Sequence, residues 1–248
     1  MRKLAVLAAL SLLVIFVPTG SASAAARCFA EGNTRAQRLM QGHLDGVSGL
    51  DAVWVGATRP AGSCRYFVFA ETSRGLSWVR LPVPDRFSRF SLRHFARPIA
   101  LVRIDDVPGR EIAVKLLEGA SVRPFGFFTI RLGAVGRMQI DDSAPRPLAA
   151  EDMFAFGGGL SLMFGTDCAY GKAPRTVIFS RAFPRGNGAR YVVERRWYQV
   201  RGADFAKTSF PIDRALVRLE NLRSRFPEFQ HDGLLPRCDG VVLDPRHA

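Results

Sequence analysis

The chain has 248 residues and a formal net charge of +13, from 35 basic and 22 acidic side chains. This length allows one well-packed core or two small ones. Lysine occurs only at positions 3, 115, 172 and 207, so nearly all of the basic residues are arginine. That bias indicates the codon usage of a GC-rich genome. The basic residues are scattered along the sequence, apart from Arg195 with Arg196 and the helix-like Arg214, Arg218, Arg223 and Arg225. The composition therefore favours a solvated basic surface over a dedicated polyanion site, and no specific nucleic acid is expected as a partner.

The first 26 residues have the pattern of a cleaved secretory signal. Arg2 and Lys3 precede an uncharged apolar run from Leu4 to Val17, and small residues continue to Ala26. The run is shorter than the roughly 20 residues that a bilayer-spanning helix needs. We therefore expect a secreted protein whose mature chain, residues 27–248, has no transmembrane segment and forms a single mainly β domain.

All four cysteines lie in the expected mature chain, which would enter an oxidising compartment. Disulfide bonds are favoured over a metal site, because no CxxC pair occurs and no histidine completes a zinc spacing. Proximity favours Cys28 with Cys64 and Cys168 with Cys238, one bridge in each half of the chain, although three pairings are open. The four positions are Cys28, Cys64, Cys168 and Cys238.

Short runs of β-branched and aromatic residues, separated by glycine and proline, predict strands over most of the chain. They begin with "DAVWVGA" at residue 51 and continue through "FGFFTIR" at residue 125. A proline-bearing connector at 141–150 marks a candidate boundary between two lobes. The clearest hairpin follows, from "RTVIFSRAF" through a turn with Asn187 and Gly188 to "YVVERRWYQV".

The segment between Pro211 and Pro227 predicts one amphipathic helix packed on a sheet. Its apolar residues fall at helical spacing and its arginines fall on the other face. The predicted fold is therefore mainly β, with twisted antiparallel sheets arranged as a propeller or a sandwich and one C-terminal amphipathic helix. The apolar positions are Ala215, Leu216, Leu219, Leu222 and Phe226.

Two acidic turns, each followed by a strand, predict an internal repeat. "LDGVSGLDAVWV" from Leu44 aligns without a gap with "IDDVPGREIAVK" from Ile104, at an offset of 60 residues. A third copy begins near Ile140 but lacks the following strand. Such an arrangement is typical of blade-type repeats, which present loops at one rim.

These two stretches resemble degenerate FG-GAP or VCBS-type repeats, whose pattern is DxDGDGxxD followed by an apolar strand, as in integrin-like β-propellers. The signal pattern, the paired cysteines and the hairpin from Asp167 to Val200 are also similar to those of exported proteins of GC-rich bacteria. The resemblance implies a propeller used for adhesion or ligand binding, with calcium bound by the loop acids. The residues at or beside the acidic positions of the pattern are Asp45, Asp51, Asp105, Asp106 and Glu111.

Both turns depart from the calcium-binding pattern. His43 and Arg103 stand at the opening acidic positions, and Val47 and Val107 replace ligands in the middle of each loop. Calcium requires six to eight oxygen ligands, and a guanidinium group next to the ion opposes binding. We therefore favour turns whose acids cap backbone donors, with a calcium site as the alternative and no other cofactor expected.

The sequence contains no recognisable catalytic motif. GxSxG, HExxH and P-loop patterns are absent, and His43, His94 and His231 stand in no known catalytic arrangement. We expect a non-catalytic binding or adhesion-type module whose partner is a ligand still to be identified, which an anionic cell-envelope polymer would fit. The alternatives are a small secreted hydrolase with an unrecognised site and an envelope polyanion-binding protein, which requires arginines gathered on one face.

Overall fold

A computed structural model gives the structure of the protein. Its described residues form two β-sheets and a single α-helix, which confirms the mainly β prediction. The pair of sheets fits the sandwich-like alternative of that prediction, and a propeller is not shown. The described residues are 40–58, 65–81, 96–116, 121–141, 144, 147, 152–169, 176–208, 212–230 and 234–243.

The smaller sheet is a four-stranded antiparallel meander in chain order. Its inward residues alternate with outward ones, as in "RYFVFAET", where Val68 and Ala70 are buried and Phe67 and Phe69 are partly exposed. This period of two makes one face apolar and leaves the other toward solvent. The strands are β1 (Met40–Gly42), β2 (Asp51–Thr58), β3 (Arg65–Thr72) and β4 (Gly75–Arg80).

The larger sheet has twelve strands in the order β16-β5-β6-β7-β10-β11-β12-β13-β14-β9, with β8 also paired to β7 and β15 to β13. All of its pairings are antiparallel except that of β14 with β9. Its first strands are β5 (Arg97–Arg103), β6 (Glu111–Lys115), β7 (Val122–Arg131), β8 (Ala134–Arg137), β9 (Gln139–Ile140) and β10 (Phe154–Gly159). The remainder are β11 (Leu162–Cys168), β12 (Thr176–Arg185), β13 (Arg190–Arg201), β14 (Asp204–Lys207), β15 (Asp213–Arg218) and β16 (Asp239–Leu243).

Strands β5 to β7 are buried on both faces, which explains why their sequences are almost continuously apolar. One face, with Leu101 and Phe128, packs against the inner face of the smaller sheet. The other face, with Phe127, packs against strands of the larger sheet itself, where the Phe127 and Phe205 rings lie 5.4 Å apart. The three middle strands therefore form a layer shared by two cores.

The predicted hairpin is confirmed: β12 and β13 pair from Thr176 with Gln199 to Arg185 with Arg190. The connector at 141–150 falls mostly outside the described residues. The strands before it and after it belong to one sheet, because β7 pairs with β10 and β9 pairs with β14.

The segment predicted as one long helix is half strand. Asp213–Arg218 forms β15, which pairs with β13, and only Leu219–Arg225 forms a helix, α1. The sequence "DRALVR" fits the alternating pattern of a strand as well as it fits the helical period. In the structure Val217 is buried and its neighbours Leu216 and Arg218 are exposed. Pairing with the edge of β13 decides between the two, since it supplies hydrogen bonds and a packing surface together.

Helix α1 packs on the same strands from one side. Its Leu222, with Phe226 just beyond its end, joins Tyr191, Val193 and Val217 in a small third core. The opposite side of β12, β13 and β15 is not covered by this helix.

The C-terminal region is tied to the sheets by a disulfide bond between Cys168 and Cys238, which confirms this favoured pair. Beside it, the buried carboxylate of Asp167 accepts hydrogen bonds from Arg237 Nε at 2.6 Å and from the Arg237 backbone N–H at 2.7 Å. Burial raises the pKa of Asp167, while the Arg237 contacts act in the opposite direction. Cys28 and Cys64 lie outside the described residues, as do the signal segment, His94 and His231.

A second buried carboxylate, Glu228, joins β12 and β13 to this region. Its oxygens accept a hydrogen bond from Ser180 Oγ at 2.7 Å, and Arg195 Nε lies 2.8 Å away in an ion pair. Arg237 Nη2 lies 3.5 Å from the other oxygen. The two fully buried carboxylates, Asp167 and Glu228, are therefore held by arginine, which leaves neither of them available as a solvent-facing acid.

No helix within the described part of the chain combines the length and apolar character needed to cross a bilayer.

Candidate functional site

The first acidic turn, residues 44–50, is held together by its own carboxylates. Asp51, at the start of β2, is buried and accepts hydrogen bonds from the backbone N–H groups of Leu44 at 2.7 Å and Asp45 at 3.2 Å. Asp45 in turn accepts one from the Val47 N–H at 2.9 Å and another from the Ser73 hydroxyl at 3.4 Å. The acids therefore satisfy backbone donors in the turn, as in an Asx-turn.

The second turn, residues 104–110, repeats two of these hydrogen bonds at the equivalent positions. Glu111 accepts one from the Ile104 N–H at 3.0 Å, and Asp105 accepts one from the Val107 N–H at 2.9 Å. Arg131 on β7 forms ion pairs with both acids. Asp106, by contrast, is exposed and stands apart from this cluster.

The strands on either side of the two turns also pair in the same register. Met40 pairs with Val53 and Ala100 pairs with Ala113, so that each residue of the second pair lies 60 positions after its counterpart. The two turns contact each other directly: a Cβ atom on Gly109 would lie 2.4 Å from the Leu44 carbonyl oxygen. The turns therefore form one paired structure at the junction of the two sheets.

Glu111 is the most perturbed acid of the pair of turns. It is 1 % exposed, and burial raises its pKa from 4.5 to about 7. The nearby charge of Asp105 also raises it, while the Ile104 N–H and Arg131 favour the ionised form. Proton uptake at this buried carboxylate is therefore coupled to the packing of the second turn.

The residues expected to bind calcium thus fall into two separate groups. Asp45 and Asp51 belong to the first turn, and Asp105 and Glu111 belong to the second, where a guanidinium group occupies the space beside them. Over the described residues, no three His, Cys, Asp or Glu side chains come together in a way that could hold a metal ion. Calcium binding stays a prediction to be tested.

A cleft of about 370 Å³ lies where the two turns meet. Its lining includes His43, Arg103 and Arg110, together with Gly46 and Pro108 from the two turns. His43, one of the candidate histidines, is exposed at this cleft. No carboxylate lines the cleft beside it, so the arrangement does not place an acid next to the imidazole for acid–base work.

The outer face of the smaller sheet carries a row of aromatic side chains across three strands, which we call the aromatic row: Trp54, Phe69 and Trp78, with Phe67 beside them. Trp54 on β2 pairs with Phe69 on β3, which pairs with Trp78 on β4. The rings of Trp54 and Phe69 are stacked at 5.4 Å with an interplanar angle of 8°. The Phe69 and Trp78 rings are 6.5 Å apart.

A glycine on β2 allows this row to lie close to the sheet. A Cβ atom on Gly56 would meet the Phe69 ring at 2.4 Å, so any larger residue there would displace the ring. The indole of Trp78 is 60 % exposed and the neighbouring Leu76 is 52 % exposed. The row therefore presents partly exposed apolar surface, held in place by strand pairing, with the Trp78 ring tilted by 40° from the Phe69 ring.

Polar side chains border the aromatic row on the same face of the sheet. Glu71 lies two residues beyond Phe69 on β3, and Arg80 lies two residues beyond Trp78 on β4. Residues two apart on a strand point to the same side. The face thus combines ring surface with hydrogen-bonding groups at its edges.

The row was not singled out from the sequence. The alternation in "RYFVFAE" and "GLSWVRL" contains the signal, because Phe67, Phe69 and Trp78 alternate with the inward-facing Val68, which is buried, and Val79, which is partly buried. The sequence does not show which of the two faces is covered.

Comparison of the chain with protein-family models, with curated proteins and with solved structures gives no match.

Proposed function

We propose that the protein is an exported, non-catalytic binding module that holds a polysaccharide on the aromatic row of its smaller sheet. The observation that carries the proposal is the row of Trp54, Phe69 and Trp78 across three adjacent strands, with Trp54 and Phe69 partly exposed and Trp78 60 % exposed. Rigid sheet positions fix the rings before a ligand arrives, which lowers the entropy cost of binding.

Sugar rings match such a surface. A pyranose presents C–H groups on its faces and hydroxyl groups at its edges, so it can stack on aromatic rings while its edges form hydrogen bonds. Burial of apolar area supplies the affinity. Glu71 and Arg80, which border the row, supply hydrogen-bonding groups of the kind that would orient such a chain.

The remaining parts of the proposal come from the sequence. The N-terminal pattern supports export, and the Cys168–Cys238 bond is consistent with an oxidising compartment. The equal register of the two strand pairs, 60 residues apart, supports two copies of one unit. The resemblance to FG-GAP-type repeats is a separate expectation from the sequence, and it implies a role in binding or adhesion.

The test is binding of the oxidised protein to a panel of neutral polysaccharides, measured by affinity electrophoresis and by titration calorimetry. Trp78→Ala should weaken binding at least about ten-fold, which corresponds to about 1.4 kcal/mol. Trp78→Phe, which keeps an aromatic ring, should retain most of it. The matched control is Leu160→Ala, because Leu160 is 69 % exposed but lies on the turn between β10 and β11.

The proposal fails if no polysaccharide binds, or if Trp78→Ala and Leu160→Ala bind as the unmodified protein does. Release of reducing sugars from a bound polysaccharide would contradict the non-catalytic part of the proposal and would show that the protein is a hydrolase.

A further inference from the structure

Three strands of the larger sheet bring together arginines that are far apart in the sequence. Arg185 on β12 pairs directly with Arg190 on β13, and Arg190 pairs directly with Arg218 on β15. Directly paired residues project from the same side of a sheet, with neighbouring strands about 4.8 Å apart. All three side chains are exposed. We call these three residues the arginine row.

A second row lies four residues further along the same three strands. In it a glutamate stands between two arginines and forms ion pairs with both. Glu194 on β13 lies between Arg181 on β12 and Arg214 on β15. Its oxygens lie 2.5 Å from Arg181 Nη2 and 2.9 Å from Arg214 Nε. Burial alone would raise the pKa of Glu194, but the two arginines outweigh it and lower the pKa.

The arginine row has an arginine at the position that corresponds to this glutamate. Like charges directly opposite each other on paired strands destabilise a sheet. Neither Arg185 nor Arg190 has an acidic partner anywhere in the described part of the chain. Arg218 lies 3.6 Å from Glu220, but both side chains are about two-thirds exposed, at 66 % and 70 %, and such a pair contributes little. The row therefore has three positive charges and no buried acid to balance them.

An apolar row separates the two charged rows. Phe183 pairs with Val192, and Val192 pairs with Leu216, which is 40 % exposed. The face as a whole has five arginines and one glutamate around this apolar centre. Helix α1 covers the other side of these strands, so the charged face stays open.

We propose that this face binds a polysaccharide that bears carboxylate groups, and that the arginine row receives carboxylates of the polymer as Arg181 and Arg214 receive Glu194. The positive charge of the face and the ion pairs that Glu194 already forms on it both point to this ligand chemistry. The apolar row between the charges gives a surface on which the sugar rings can lie. The site is separate from the aromatic row, and its failure would leave the proposed function standing.

The first test is binding to polygalacturonate, with its fully methyl-esterified form as the uncharged counterpart. Polygalacturonate should bind, its affinity should fall steeply as salt rises, and the ester should lose this salt-dependent binding. Arg190→Gln, which removes the centre of the row, should weaken polygalacturonate binding at least about five-fold. Arg190→Lys should recover only part of the affinity, since lysine lacks the bidentate fork.

Arg223→Gln is the matched control, because it removes the same charge from an exposed position on α1. Trp78→Ala provides the second control: it should leave the salt-dependent binding of polygalacturonate intact, whatever its effect on neutral polysaccharides. Arg190→Gln should keep or raise the thermal midpoint, because it relieves repulsion between paired arginines, so that lost binding cannot be assigned to unfolding.

Equal losses in Arg190→Gln and Arg223→Gln would overturn the proposal, since net charge alone would then explain the binding. No binding of polygalacturonate at low salt would also overturn it. Stronger Arg190-dependent binding to duplex DNA or to phosphatidylglycerol vesicles than to polygalacturonate would overturn the assignment to a carboxylated polysaccharide.

Discussion

The contact between the two acidic turns can be tested with a pair of glycines at equivalent positions. Gly49 and Gly109 both have a positive φ, of +135° and +123°, so alanine strains the backbone at either site. At Gly49 an added Cβ atom would meet nothing within 4 Å. At Gly109 it would lie 2.4 Å from the Leu44 carbonyl oxygen and 3.2 Å from the Gly46 nitrogen, which are backbone atoms that cannot rotate away.

Gly49→Ala therefore measures the backbone strain alone, and Gly109→Ala measures the strain together with the separation of the turns. Overpacking of this kind costs about 1–3 kcal/mol. We expect Gly109→Ala to lower the free energy of unfolding by about that much more than Gly49→Ala does. For a chain of this size each kcal/mol lowers the midpoint by about 2–4 °C.

The assay is urea unfolding followed by intrinsic fluorescence, with thermal melts as a second reading. Equal losses in the two variants would refute the reasoning, because the turns would then not press on each other through Leu44 and Gly109. A larger loss at Gly49 would refute it as well.

Four further predictions concern the buried charges, the acidic turns and the disulfide. Glu228→Ala should cost about 3 kcal/mol in urea unfolding, because it leaves Arg195 without its closest acid, whereas Glu228→Gln should cost less. The pKa of Glu111 is raised from 4.5 to about 7 in the folded protein, so the unfolded chain loses this proton more easily. The free energy of unfolding should therefore fall as pH rises from about 4.5 to 7. Glu111→Gln should remove that part of the pH profile, and an unchanged profile would contradict the assignment. Calcium at millimolar concentration should leave the thermal midpoint unchanged relative to a chelator, and a clear rise would instead establish the turns as metal sites. The double variant Cys168→Ser, Cys238→Ser opens a connection between residues 70 positions apart and should lower stability by about 4 kcal/mol, measured against the oxidised protein.

Much of the strand content could be predicted from the sequence, since runs such as "RTVIFSRAF" and "YVVERRWYQV" are rich in β-branched and aromatic residues, which favour strands. The hydrogen bonds of Asp51 and Glu111 to backbone donors also agree with the turns inferred from sequence. Both are local features, in which the residues that decide the structure lie within about ten positions of each other.

The features that could not be predicted depend on long-range pairing. Residues Asp213–Arg218 fit a helical period, and only the exposed edge of β13 makes them a strand. The helical prediction groups Arg218 with Arg214, Arg223 and Arg225, whereas β15 sets Arg218 beside Arg190. The aromatic row was missed for the same kind of reason, since the alternation in β3 and β4 does not say which face another layer covers.

Strand β16 closes an edge of a strand that lies far from it in the sequence. β16 (Asp239–Leu243) pairs with β5 (Arg97–Arg103). Without β16, β5 has an unpaired edge in an almost wholly apolar strand, and such edges recruit other chains. A chain that has folded as far as β15 is therefore still open to edge-to-edge aggregation, and truncations before residue 239 should aggregate rather than fold.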